Sequence, residues 1–168
     1  SDSQLIAKSP EDSKIVFGRQ LYQTVRALQR EGATVWILKQ VPAFNFDVPS
    51  RLANVVRYHG DPSSVGMLLS KHQQRQSTVN SIITEIAKQN VFVLDPTNIF
   101  CTDEHLCRAE LAGYPLYSDG DHVSNYGAMQ MRPVFEPMFQ RITRDRLSSQ
   151  NVKRPQIAEL PEESESRR

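Results

Sequence analysis

Apolar positions along the first third of the chain recur at helical spacing and then give way to a strand pattern. Ser9-Pro-Glu-Asp has the form of a helix start, since a serine side chain accepts from a free backbone N–H and proline fits the first turn. Val16, Phe17, Leu21, Val25 and Leu28 then follow as far as Gly32, which predicts an amphipathic helix ended by glycine. Thr34 to Val41, lying between Gly32 and Pro42, is β-branched and aromatic and reads as a buried strand. Pro42 to Ser50 carries a proline near each end and no helical period, so it is expected to be a loop leaving the carboxyl end of that strand, the edge at which α/β sheets bind ligands. A second helical stretch is expected from about Ser63 to Gln89, with Leu68, Leu69, Val79, Ile82, Ile83 and Ile86 as its apolar face and a break at Ser77. Val91 to Asp95 repeats the strand signature. Two successive helix-to-strand units predict an α/β fold. Further on, Ser124 or Asn125 can cap a helix running through Met129, Val134 and Phe139, with Pro133 and Pro137 in its first turn or at a kink.

Composition narrows the class. The 168 residues suffice for one domain with a continuous core, and 39% hydrophobic with 23% charged residues is an ordinary globular balance. Residues 1–147 read as that domain and 148–168, rich in Ser, Glu, Pro and Arg, as a disordered polar tail. Twenty Lys and Arg against 19 Asp and Glu leave a net charge of +1, so there is no global field to attract nucleic acid or anionic lipid. The longest apolar runs, Val35 to Leu38 and Val91 to Leu94, are too short to span a membrane. The chain opens with Ser rather than Met, which points to processing or to a piece of a longer protein.

Two features carry chemistry. Cys101 and Cys107 could close a short loop as a disulfide or remain two reduced thiols, and spacing leaves both readings open; zinc held by them with His105 is disfavoured because no second Cys or His pair accompanies them. In Tyr117-Ser-Asp-Gly-Asp-His-Val-Ser-Asn-Tyr-Gly127, an aspartate stands three residues before a histidine. Acyl transfer by a hydroxyl needs a base to take its proton and an acid to orient that base. His122 is the candidate base and Asp119 its partner; Asp121 is adjacent to the histidine, and neighbouring side chains usually diverge. Gly120 lets the backbone bend between them. A polar surface loop is the plain alternative.

The run from Pro115 to Ala128 resembles the final catalytic block of SGNH hydrolases. Taken with the helix from Phe17 to Gly32, the strand ending at Pro42, the Asp47-Val-Pro49 loop, the strand at Val91 to Asp95 and the Cys101 to Cys107 loop, roughly Phe17 to Ile142 resembles the SGNH domain of bacterial membrane acyltransferase-3 proteins. That resemblance implies a three-layer α/β/α sandwich with a parallel sheet, incomplete here at its N-terminus. It implies a bridge between Cys101 and Cys107, with His122 as base and Asp119 as orienting acid. It also implies a place on the periplasmic side of a bacterial cell envelope, attached through an upstream transmembrane domain, with an acyl donor and a glycan acceptor such as lipopolysaccharide as partners. No cofactor or metal is expected.

The family's Gly-Asp-Ser nucleophile block and its Gly-x-Asn oxyanion block have no counterpart in the chain. Ser1-Asp-Ser3 lacks the glycine and follows no strand, and neither Asn45 nor Asn54 follows a glycine. The nucleophile is therefore expected outside this chain, which alone is expected to be inactive. A freestanding esterase and a non-catalytic glycan-binding or interaction module are the other readings. Trp36 is expected in the core, and His59, His72 and His105 in solvent. Phe44 and Phe46 are read as lining an acyl or glycan pocket or as plugging the sheet edge, and Lys39 and Gln40 as possible substrate contacts.

Overall fold

Ser9 opens helix α1 (Pro10–Arg30) by accepting from the Asp12 N–H at 3.0 Å, and the chain leaves the helix at Gly32 with φ +79°. The computed structural model describes residues 9–101 and 105–152. Strand β1 (Trp36–Leu38) follows, then α2 (Val48–Arg57), a single 3-10 turn at Pro62–Ser64, β2 (Gly66–Leu68), α3 (Leu69–Ala87), β3 (Phe92–Leu94), α4 (Thr97–Phe100), β4 (Leu106–Arg108), β5 (Glu110–Leu111), β6 (Tyr114–Pro115), α5 (Asn125–Gln130) and α6 (Arg132–Val152).

The two strands anticipated from the apolar runs pair in parallel, Trp36 opposite Phe92 and Leu38 opposite Leu94. This is the α/β arrangement expected of an SGNH-like fold, although the sheet is small. Two antiparallel pairs, β2 with β4 and β5 with β6, complete the strands among the described residues. Helix α3 packs against α1 and against β3, and Val25, Val35, Ile86 and Val91 form a minor core there. The major core gathers Phe44, Val48, Phe100, Leu116 and Tyr117 around the bridge between Cys101 and Cys107. With both sulfurs in the disulfide, neither is left for zinc or as a thiol.

Several local expectations are corrected. Pro42 to Ser50 is not loop throughout: Asp47 accepts from Ser50 N–H at 2.9 Å and starts α2, with Pro49 in the first turn where its missing N–H costs nothing. The helix expected from Ser63 begins only at Leu69, because β2 precedes it and pairs with β4. Gly66 makes that pairing possible, since a Cβ there would stand 2.7 Å from Cys107 O. Trp36 is half-buried rather than buried, and stacks on Phe92 with ring centroids 4.4 Å apart. His72 is buried, not solvated, because His72, Gln76, Val79, Ile83 and Ile86 fall on one stripe of α3 and that stripe faces inward. His59 and His105 are exposed.

The chain divides into two compact units, the first ending at Phe135. The second comprises the rest of α6, with Pro137 inside the helix and an Arg141–Asp145 pair at 3.8 Å one turn apart. Of the polar segment 148–168, residues 148–152 continue α6 and the remainder lies outside the described residues. No helix among the described residues is long and apolar enough to cross a membrane.

Candidate active site

Buried Leu116 and Tyr117 anchor the segment that carries Asp119 and His122. The Tyr117 ring packs edge-on against Phe44 at 5.0 Å and beside Phe100 at 5.4 Å, so one end of the segment is fixed in the major core. From there the chain makes a tight reversal: Tyr117 bridges Val123, and the Ser118 N–H donates to His122 O at 2.9 Å. Beyond it Ser124 caps α5, accepting from Gly127 N–H at 3.0 Å and donating to Pro115 O at 2.7 Å.

The reversal rests on the segment after β1. Phe44 N–H donates to Gly120 O at 2.7 Å and Val48 N–H to Asp119 O at 3.2 Å. Gly120 is required by this approach, because a Cβ there would lie 2.9 Å from Phe46 O and 3.0 Å from Phe44 O.

Within the turn the Asp119 carboxylate does two things. Its Oδ1 accepts the backbone N–H of His122 at 2.8 Å and of Asp121 at 2.9 Å, while Oδ2 meets His122 Nδ1 at 2.8 Å. The His122 N–H, then the Asp121 N–H and the imidazole hold Asp119 well below the usual carboxylate range. Asp121 Oδ1 is also near Nδ1, at 3.2 Å. Carboxylates only accept, so Nδ1 carries the proton and the neutral ring keeps its lone pair on Nε2. The bond to Asp119, then the charges of Asp119 and Asp121, raise the His122 pKa above its ordinary 6.5.

The ring is open to solvent, with 76% of its side-chain surface exposed, and Nε2 has no hydrogen-bond partner among the described residues. The arrangement is an imidazole held in orientation and tautomer by Asp119, with Nε2 open to solvent. Asp119, Asp121 and His122 each offer a ligand atom within 4.8 Å of the others, but the Nδ1 involved is the protonated nitrogen held between the two carboxylates.

The other candidates are dispersed. Ser3 lies outside the described residues. Asn54 is exposed on α2, and Lys39 is tied to Asp95 by a 2.9 Å ion pair. Asn45, Phe44 and Phe46 share a cavity of about 390 Å³ with Met67, Lys71 and Arg75. The only signal these two cations carry in the sequence is their four-residue spacing on a helix, which places them on one face.

Residues 3–137 match the family model of the SGNH domain fused to AT3 domains. No curated protein and no solved structure matches the chain. The match covers most of the sequence, including the whole Asp119–His122 turn and its supports, and marks the chain as an SGNH module associated with acyltransferases. The chain belongs to the family of SGNH domains that are fused to AT3 domains.

Proposed function

We propose that this chain serves a cell-envelope O-acyltransferase, in which His122 is the general base and Asp119 its orienting acid. The observation that carries this reading is the 2.8 Å contact of Asp119 Oδ2 with His122 Nδ1, which leaves Nε2 unengaged and open to solvent. A serine hydroxyl supplied from outside the described residues gives its proton to Nε2 as it attacks the acyl donor, and the imidazolium returns that proton to the leaving group. Nε2 then takes the proton of a glycan hydroxyl that attacks the acyl-serine ester, and the serine oxygen leaves with a proton from the same ring. Asp119 stays ionised throughout and stabilises the imidazolium. The acyl group is acetyl or a relative, the acceptor is a surface polysaccharide such as lipopolysaccharide, and the module works on the periplasmic side beside a transmembrane acyltransferase domain. No metal or cofactor takes part in this scheme.

The openness of His122 favours a second reading, an esterase of the same superfamily that uses water as acceptor. Both are tested in the protein carrying its AT3 domain. The transferase reading expects acyl groups on the glycan in parent cells and their loss with His122→Ala, by at least about a hundredfold. Acyl release into water, with no acylated glycan, would instead select the esterase.

A further inference from the structure

The cavity of about 390 Å³ lies between the segment after β1, the β2–β4 pair and the first two turns of α3. Its size is at the low end of the range of about 300–1,000 Å³ usual for small-molecule sites, room for one or two rings rather than an extended chain. Phe44, Phe46, Met67 and Leu106 supply an apolar wall, and Asn45 an amide. Lys71 and Arg75 supply the charge, both exposed and one helical turn apart, and no carboxylate lines the cavity among the described residues. Arg75 gives one arm of its guanidinium to Ala43 O, which braces the wall. Lys71 has no hydrogen bond or ion pair among the described residues. Two cations of one sign above an apolar floor favour a ring that is anionic at one edge and C–H rich on a face.

The cavity is coupled to the catalytic turn by the chain itself. Phe44, Asn45 and Phe46 form its wall, and the carbonyls of Phe44 and Phe46 are the surfaces on which Gly120 rests. A ring held there touches the same segment on which the turn carrying His122 rests.

We infer that this cavity is an acceptor subsite for a sugar carrying a carboxylate, with Lys71 and the remaining edge of Arg75 binding the carboxylate and Phe46 packing on the ring. The inference rests on the acyltransferase reading for the word acceptor, while the binding itself does not. Arg75 has a planar fork and has spent one arm, which suits the two coplanar oxygens of a carboxylate.

The test titrates the 168-residue chain by calorimetry and by amide NMR with cellobiouronic acid and with cellobiose, which differ in one carboxylate. The acidic disaccharide should bind at least about tenfold more tightly, shift the amides of 44–46 and 67–75, and weaken with salt. Lys71→Glu should remove at least about tenfold of that affinity and Lys71→Arg should keep it, because Lys71 braces nothing in the fold. Arg75→Lys, which can still reach Ala43 O, should weaken binding less than Lys71→Glu. Equal affinity for the two disaccharides, no shift from either, or an unaffected Lys71→Glu variant would overturn the subsite. His122→Ala should leave this binding intact, so loss of acyl transfer and loss of sugar binding report separately on the two readings.

Discussion

At the scale of single residues, the account turns on where protons sit in the Asp119–His122 turn. A general base acts in its neutral form, and the bond to Asp119 with the charges of Asp119 and Asp121 raises the His122 pKa above 6.5. Activity should therefore climb with pH through an inflection above that value. Asp119→Asn removes the leading cause of the shift, so the imidazole should titrate closer to 6.5 and the activity inflection should move down with it. An NMR titration of His122 in parent and variant reads this directly, and an unmoved pKa would mean that the 2.8 Å contact does not persist in solution. Asp121→Asn should produce the smaller change, being the later-ranked cause and the longer contact at 3.2 Å. Gly120 is the other residue on which the geometry depends. A methyl there meets two backbone carbonyls, which cannot yield as a side-chain end could, so Gly120→Ala should cost about 1–3 kcal/mol in denaturant unfolding. A variant as stable as the parent would show that the turn does not rest on the segment after β1.

At the scale of elements, helix α3 brings a titratable group into the interior. His72 is 3% exposed with Nδ1 unpartnered, and burial lowers its pKa despite the opposing pull of Asp95. A group whose folded pKa is lowered contributes stability that is intact above its unfolded value of 6.5 and is lost as pH falls through that value toward the folded one. The parent should therefore lose stability relative to His72→Phe as pH falls below 6.5, measured by urea melts at each pH; parallel curves would exclude burial of a neutral His72. The disulfide acts on the same scale: closing so short a loop should stabilise the major core by about 2 kcal/mol, so Cys101→Ser with Cys107→Ser should lower the unfolding free energy by roughly that amount. The elements legible in the sequence were those with a period to read. Helix α1, strands β1 and β3 and most of α3 declared themselves through repeated apolar positions and glycine or proline stops. Strands β2, β4, β5 and β6 run two or three residues each, much as β1 and β3 do, but lack the continuous β-branched and aromatic apolar runs that marked those two. Helix α2 is masked in the sequence because Pro49 has the look of a breaker, although Asp47 two residues earlier is the cap that makes a proline there a helix former. His72 reads as solvated from its polarity alone, but it lies on the inward-facing stripe shared with Val79, Ile83 and Ile86.

At the scale of the whole molecule, the Asp119–His122 turn was visible as a string because all its parts are consecutive. The cavity beside it was not, since its walls come from residues 43–46, 66–75 and 106, which only the fold assembles. Membership of the SGNH domains fused to AT3 domains gives this arrangement a setting, and the proposed mechanism takes its nucleophile from outside the described residues. The most direct test of the central claim is to quantify acylated glycan in cells making the AT3-bearing protein with and without His122→Ala, at matched protein levels. The account predicts a loss of at least about a hundredfold from removing the base. Glycan acylation that continues at the parental level in the variant would contradict it.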